Sequence, residues 1–146
     1  MKKFLLLLAL VPAGCVVARA ADSPEMAVVR AQIAAFNHHE ADAVAALLAP
    51  AVKWFALDRD QLSVEGDGRD AIRTWLAGYF KSFPDVRSEM ADVTQAGAFV
   101  SYRERTNWTA KDGQPRAQQA LAVYEVHDGL IARVWYFPAV REPAAK

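Results

Sequence analysis

The chain has 146 residues, 53% of them hydrophobic and 23% charged. That is the length of one domain, and the composition excludes a disordered chain. Seventeen basic residues balance 17 acidic ones, so the charge gives nucleic-acid binding no electrostatic support and that partner class is set aside.

Taken in chain order, the first segment reads as a targeting signal. Met1-Lys2-Lys3 is a basic start, Phe4 to Val11 carries no polar side chain, and Ala18-Arg19-Ala20 is a small-x-small cleavage site. Together they predict a secretory signal peptide over residues 1–20, a mature domain over 21–146, and a periplasmic or secreted protein. The apolar run falls short of the ~20 residues of a spanning helix, and no later stretch reaches that length, so no membrane span is expected. Ala13-Gly14-Cys15 resembles the end of a bacterial lipoprotein box, which makes lipidation at Cys15 the alternative. Pro12 stands where that box wants an aliphatic residue, so cleavage after Ala20 is preferred. Cleavage there leaves 14 basic and 17 acidic residues and no Cys. Core burial, not disulfides, must then hold the domain together.

Pro24 suits the first turn of a helix, and Val29, Ile33 and Phe36 continue it at helical spacing. Asn37-His38-His39 interrupts, and Ala41 to Leu48 reads as a second short helix ending before Pro50. Val52 to Phe55 is β-like. Asp58 to Gly68 reads as a polar loop containing at most a short strand at Leu62–Val64. Ile72, Trp75, Leu76, Tyr79, Phe80 and Phe83 then form one wide apolar stripe, predicting a third helix from near Arg69 to Pro84 that backs the core. After Pro84 the period changes. Val86–Val93, Ala98–Thr109, Arg116–Val126 and Leu130–Phe137 are strand-like, with Lys111-Asp112-Gly113 and His127-Asp128-Gly129 as the turns between the last three. Early helices and a late meander predict an α+β fold with helices packed on one face of a curved antiparallel sheet.

This order resembles the nuclear transport factor 2-like superfamily in its SnoaL-like branch. The resemblance is carried by Asn37 to Leu48, by Gly66-Asp67-Gly68-Arg69-Asp70-Ala71-Ile72, and by Asp128-Gly129-Leu130-Ile131 followed by Trp135-Tyr136-Phe137. It spans about the whole mature chain. It implies a cone-shaped barrel, a bent sheet wrapped around about three helices and enclosing a pocket. Members include ketosteroid isomerases, polyketide cyclases, limonene-epoxide hydrolases and binding modules without chemistry.

The catalytic patterns of two members are not retained. For ketosteroid isomerase the resemblance puts the oxyanion Tyr at Gln32, the base at or beside Phe55, and the protonated Asp at Ala122; Phe and Ala cannot move protons. For limonene-epoxide hydrolase, Glu104-Arg105-Thr106-Asn107 keeps the Arg but has Asn107 for an Asp, and the second Asp falls at Tyr136. The same alignments set a strand parity. They turn Ser101, Arg103, Arg105 and Asn107 to the cavity together with Ala120, Ala122, Tyr124, Val134 and Tyr136. The expected ligand-binding residues are therefore Arg105, Asn107, Tyr136, Arg103 and Tyr124, suited to an acidic or carbonyl-bearing ligand. Tyr102, Trp108, Leu121, Val123, Trp135 and Phe137 would then face outward and predict a homodimer. The opposite parity puts Tyr102, Glu104, Thr106 and Trp108 inside with Leu121, Val123, Trp135 and Phe137, and leaves Arg103 and Arg105 solvated.

No metal or cofactor is expected. Neighbouring His38 and His39 point apart, His127 sits in a turn, and the acidic 58–67 segment lacks calcium-loop spacing. The leading reading is an exported domain binding a small organic molecule. The alternatives are a cofactor-free isomerase, cyclase or hydrolase of a cyclic substrate, its base drawn from the Asp58–Glu65 loop or Glu104, and a dimeric interaction module with no open pocket.

Overall fold

The computed structural model describes residues 22–142. The expected signal peptide, its cleavage site and Cys15 lie outside the described residues. Helix α1 (Pro24–Asn37) starts where Ser23 caps it: the Ser23 hydroxyl accepts from the Met26 amide at 3.1 Å, and Pro24 occupies the first turn. It buries Met26, Val29, Gln32 and Ile33. Helix α2 (Ala41–Ala46) is a short turn burying Val44 and Ala45. Helix α3 (Arg69–Ser82) opens at Gly68, whose φ of 89° favours glycine. Among the described residues no helix is long and apolar enough to cross a membrane.

The stripe of α3 is narrower than its sequence predicts. Ile72, Leu76 and Phe80, spaced by four, are buried. Tyr79 and Phe83 only pack against the core from its margin, and Trp75 is 56% exposed. The helix is offered the sheet along one line, so residues a quarter-turn to the side find less to touch.

The strands are β1 (Leu48–Asp58), β2 (Gln61–Asp67), β3 (Arg87–Ala96), β4 (Phe99–Thr109), β5 (Pro115–His127), β6 (Leu130–Tyr136) and β7 (Val140–Arg141). They form one seven-stranded sheet in the order β2-β1-β6-β5-β4-β3, with β7 extending along β5. The sheet is mixed rather than antiparallel throughout, because β1 lies parallel to β6. It is curved and open, with helices on its concave side, as the cone predicts.

One element departs from the sequence reading. The polar 58–68 segment is the second arm of a hairpin, turning at Arg59 with φ 57° and returning as β2. β2 is a sheet edge exposed on both faces, so only Leu62 and Val64, alternating with polar residues, mark it as a strand. Gly66 on β2 lies so close to Ile72 and Trp54 that an added Cβ would meet the Ile72 side chain at 2.7 Å. That close approach draws the hairpin against α3.

The core lies between the helices and the inner sheet rows. Val100 and Tyr102 of β4, Ala122, Tyr124 and Val126 of β5, and Ile131 and Val134 of β6 are all buried. Tyr102 pairs across the strands with Ala122, Glu104 with Ala120, and Thr106 with Gln118. Even-numbered β4 residues thus share a face with even-numbered β5 residues.

Candidate functional site

That register decides what reaches the concave side. The turn between β4 and β5 is centred on Asp112, since Thr109 pairs with Pro115. Residues directly opposite in an antiparallel pair share a face. Tyr102, Glu104 and Thr106 therefore go inward with Ala120, Ala122 and Tyr124, and Val134 and Tyr136 join them from β6. Neither expected parity holds as a whole: β5 and β6 follow the preferred one, and β4 follows its opposite. The small Ala120 and Ala122 stand opposite Glu104 and Tyr102 and leave space above the sheet.

That space is a cavity of about 470 Å³, within the ~300–1,000 Å³ typical of small-molecule pockets. Its helical wall is Gln32, Ile33 and Phe36 of α1 with Ala71, Ile72, Trp75 and Tyr79 of α3. Trp54 of β1 and Glu65 to Asp67 of β2 close one side, and Glu104, Thr106, Gln118 and Tyr136 form the sheet wall. Its aromatic sides are stacked in pairs. Trp54 lies on Tyr136 with centroids 5.5 Å apart and planes 4° from parallel, and Trp75 lies on Tyr79 at 5.0 Å. No Lys, Arg or His lines the cavity among the described residues. The nearby Lys53 is held by Asp67 at 3.0 Å.

Glu104 is the chemical centre of this wall. It is 7% exposed, and its carboxyl accepts from the Ser88 hydroxyl. Burial pushes its pKa above the ordinary carboxylate range, outweighing the Ser88 and Tyr136 hydroxyls, which favour the ionised form. The acid is thus biased toward its neutral form, which can donate a hydrogen bond. Tyr136 and Tyr124 bring their hydroxyls within 3.1 Å of each other. Burial, and next to it the Glu104 charge, raises the pKa of both, so they stay protonated donors. Tyr102 stacks on Tyr124 at 5.6 Å, and its hydroxyl is buried without a hydrogen-bond partner among the described residues.

Of the five residues expected in the site, Tyr136 lines the cavity and Tyr124 is buried directly behind it. Arg103, Arg105 and Asn107 are corrected to the outer face of β4. Arg105 is engaged by Glu142 in a two-pronged pair, both N···O distances being 2.9 Å. Arg103 is held by Asp92 and by Gln119. The guanidinium groups have found carboxylates at the surface, where water remains available, rather than in a cavity that would desolvate them. Absent from the expected binding set were Glu104 and Thr106, which only the opposite parity turns inward, and Gln118, together with Gln32 and Trp54. Counting pairs outward from Asp112 would have found the first three.

The outward apolar set is likewise corrected. Tyr102 is fully buried and Trp108 packs against the core from inside. Leu121, Val123, Trp135 and Phe137 do lie on the convex face, where Phe55 and Phe99 join them around Trp135.

Comparison with known proteins agrees with this architecture. An uncharacterized cystatin-fold protein from Novosphingobium aromaticivorans superposes with a TM-score of 0.69 at 26% identity, over 81% of this chain and all of its own. IdmH from Streptomyces antibioticus, a proposed polyketide cyclase, gives 0.66 at 19% identity over 81% of this chain and 91% of its own. An LEH-like epoxide hydrolase from M. tuberculosis gives 0.66 at 18% identity, over 78% and 81%. No curated protein matches the chain in sequence. The SnoaL-like domain family matches residues 29–134, and with the three helices, the open curved sheet and the cavity between them, the chain belongs to that family.

Proposed function

We propose that this domain binds a small, ring-bearing organic molecule with a carbonyl group in the cavity between α1, α3 and the sheet. The observation that carries this reading is Glu104, a buried acid biased toward its neutral form in an otherwise largely aromatic pocket. A neutral carboxyl and the Tyr136 hydroxyl are donors, and a carbonyl oxygen is the acceptor they fit. The stacked Trp54, Trp75 and Tyr79 suit a flat ring. An acidic ligand loses its motive, because Arg105 points elsewhere and Glu65 and Asp67 in the cavity wall would repel a carboxylate. The open cavity also speaks against an interaction module without a pocket. Solved relatives of the same fold named as a polyketide cyclase and an epoxide hydrolase support a small-molecule role. Native mass spectrometry of the purified protein should show a bound small molecule that disappears in Thr106→Phe, where a ring fills the cavity. Identical spectra without adduct for both proteins, even after incubation with ring ketones such as 1-tetralone, contradict the reading.

Glu104 also favours an enzymatic version. A neutral acid beside a carbonyl can protonate the enolate oxygen while the Glu65 carboxylate in the cavity wall takes the α-proton, so bound 1-tetralone should exchange its α-hydrogens with deuterated water faster than free ketone. Absence of acceleration leaves a binding protein only.

The protein is proposed to act outside the cytoplasm, with residues 1–20 removed. N-terminal sequencing of the exported chain should begin at Ala21; a lipid-modified Cys15 at the first position would place it on a membrane surface instead.

The convex face is proposed to pair two copies. Phe99, Leu121 and Phe137 are 44%, 46% and 36% exposed around Trp135 and Phe55. The strip is bordered by the Arg103–Asp92 and Arg133–Glu125 pairs, which offer both signs of charge. Both signs beside one apolar strip make a surface complementary to itself about a two-fold axis. Sedimentation at micromolar concentration should give a dimer that Leu121→Glu dissociates. A monomeric wild-type chain contradicts it.

A further inference from the structure

One buried group in the cavity is left unused by the carbonyl reading. Gln32 of α1 is 2% exposed and lines the cavity wall opposite the sheet, yet its Oε1 has no hydrogen-bond partner among the described residues. An amide oxygen removed from water without a partner is costly to keep, and a leucine of similar size would fill the position without that cost. The position is otherwise apolar: Val29 and Ile33 flank it on the same helix, and both are buried. Packing alone therefore gives no reason for a glutamine here.

The two walls differ in what they offer. On the sheet side, Tyr136 and the Glu104 carboxyl, which burial biases toward its proton-bearing form, present donors. On the helix side, Gln32 lines the cavity and its buried amide carries an acceptor with nothing to accept. A ligand that satisfies both carries an acceptor at one end and a donor at the other. Phe36, Trp54 and Trp75 line the same cavity, and their faces suit a planar ring that carries both groups.

We infer that Gln32 reads a hydroxyl on the ligand, so that the class bound is a hydroxylated ring ketone rather than a simple one. This rests on the carbonyl reading of the same cavity. Gln32 acts as a specificity residue: it leaves the carbonyl end untouched and discriminates at the other end. Sites built to hydrogen-bond a hydroxyl discriminate against the analogue lacking it because their own polar group is then stranded.

The test compares 1-tetralone with its 5-, 6- and 7-hydroxy isomers by calorimetric titration of the full chain. The wild-type protein should bind the best hydroxy isomer on the order of tenfold to a hundredfold more tightly than 1-tetralone. Gln32→Leu should bind 1-tetralone at least as well as wild type and lose the preference for the hydroxyl. Gln32→Met, also apolar and unbranched, serves if the leucine variant does not fold. Equal wild-type affinity for all four ketones overturns the role of Gln32 while leaving the carbonyl reading intact. A hydroxyl preference that survives both Gln32 variants overturns it too, by assigning the contact elsewhere. Failure of every ketone to bind overturns the carbonyl reading and this inference with it.

Discussion

Leu76→Ala is expected to lower the unfolding free energy by ~2–5 kcal/mol and Phe80→Ala by ~3–5 kcal/mol, whereas Trp75→Ala should cost about 1 kcal/mol or less. The three residues are neighbours on one helix and equally apolar on paper, so the contrast isolates burial. Leu76 is fully buried and Phe80 nearly so, with Phe36 edge-on to its ring at 5.2 Å. Truncation of either leaves a cavity that the sheet cannot collapse to fill. Trp75 is more than half exposed and loses mainly its stacking on Tyr79. Its loss should appear in ligand affinity instead, since it lines the cavity. Urea denaturation of the three variants checks the ranking. A Trp75 cost equal to the other two would mean that the apolar stripe is wide after all and that the cavity mouth is closed.

The second large effect concerns Glu104 and pH. Burial raises the folded-state pKa of this carboxyl above its unfolded value. Between those two values the folded chain holds a proton that the unfolded chain has released. The stability from neutral Glu104 is therefore whole below the ordinary carboxylate pKa and is lost as pH rises through the raised one. Glu104→Gln keeps the shape and an acceptor for Ser88 but cannot ionise. Its unfolding free energy should exceed that of wild type at pH 8 and converge toward it near pH 4 (approximate values either side of the ordinary carboxylate range). Ligand affinity should follow the same course, falling with pH in wild type and staying flat in Glu104→Gln. Glu104→Leu, which donates nothing, should weaken binding of a ring ketone by roughly tenfold to a hundredfold. A wild-type stability curve unaffected by Glu104→Gln across this range would show that the carboxyl is solvated.

The sequence carried the architecture further than the site. Helical spacing through Val29, Ile33 and Phe36 found α1, the Ile72–Phe83 stripe found α3, and the turns at Asp112 and Asp128 found the meander. Of the hairpin arm β2 the sequence offers only the short stretch Leu62–Val64, because an edge strand exposed on both faces has no burial rhythm to display. The parallel pairing of β1 with β6 was equally hidden, since nothing in either strand encodes the direction of its neighbour. The site failed at one step. Arg105 was turned inward through a family alignment, and a one-residue error in a strand exchanges its two faces entirely. The Lys111-Asp112-Gly113 turn held a better ruler. Pairing outward from Asp112 sets Glu104 opposite Ala120 and Tyr102 opposite Ala122, which puts all four on the side of Tyr124. That count trades two buried arginines for one buried acid and narrows the expected ligand from an acidic or carbonyl-bearing compound to a neutral carbonyl compound. In the sequence Gln32 reads only as the position of an absent Tyr. Its significance depends on which atoms lack partners, and that is a property of packing alone.

Uptake of a small ring ketone by the Glu104 cavity is measured directly by the tryptophans that line it. Trp54 and Trp75 both stand in the cavity wall, so a bound ketone should quench their fluorescence. Titration of the wild-type chain with 1-tetralone and its hydroxy isomers at pH 5 should give saturable quenching, weaker binding at pH 8, and no saturable change in Thr106→Phe. Linear, unsaturable quenching that is the same in wild type and Thr106→Phe would contradict the account, because it would mean that the ketone reaches the tryptophans from solvent and never occupies the cavity.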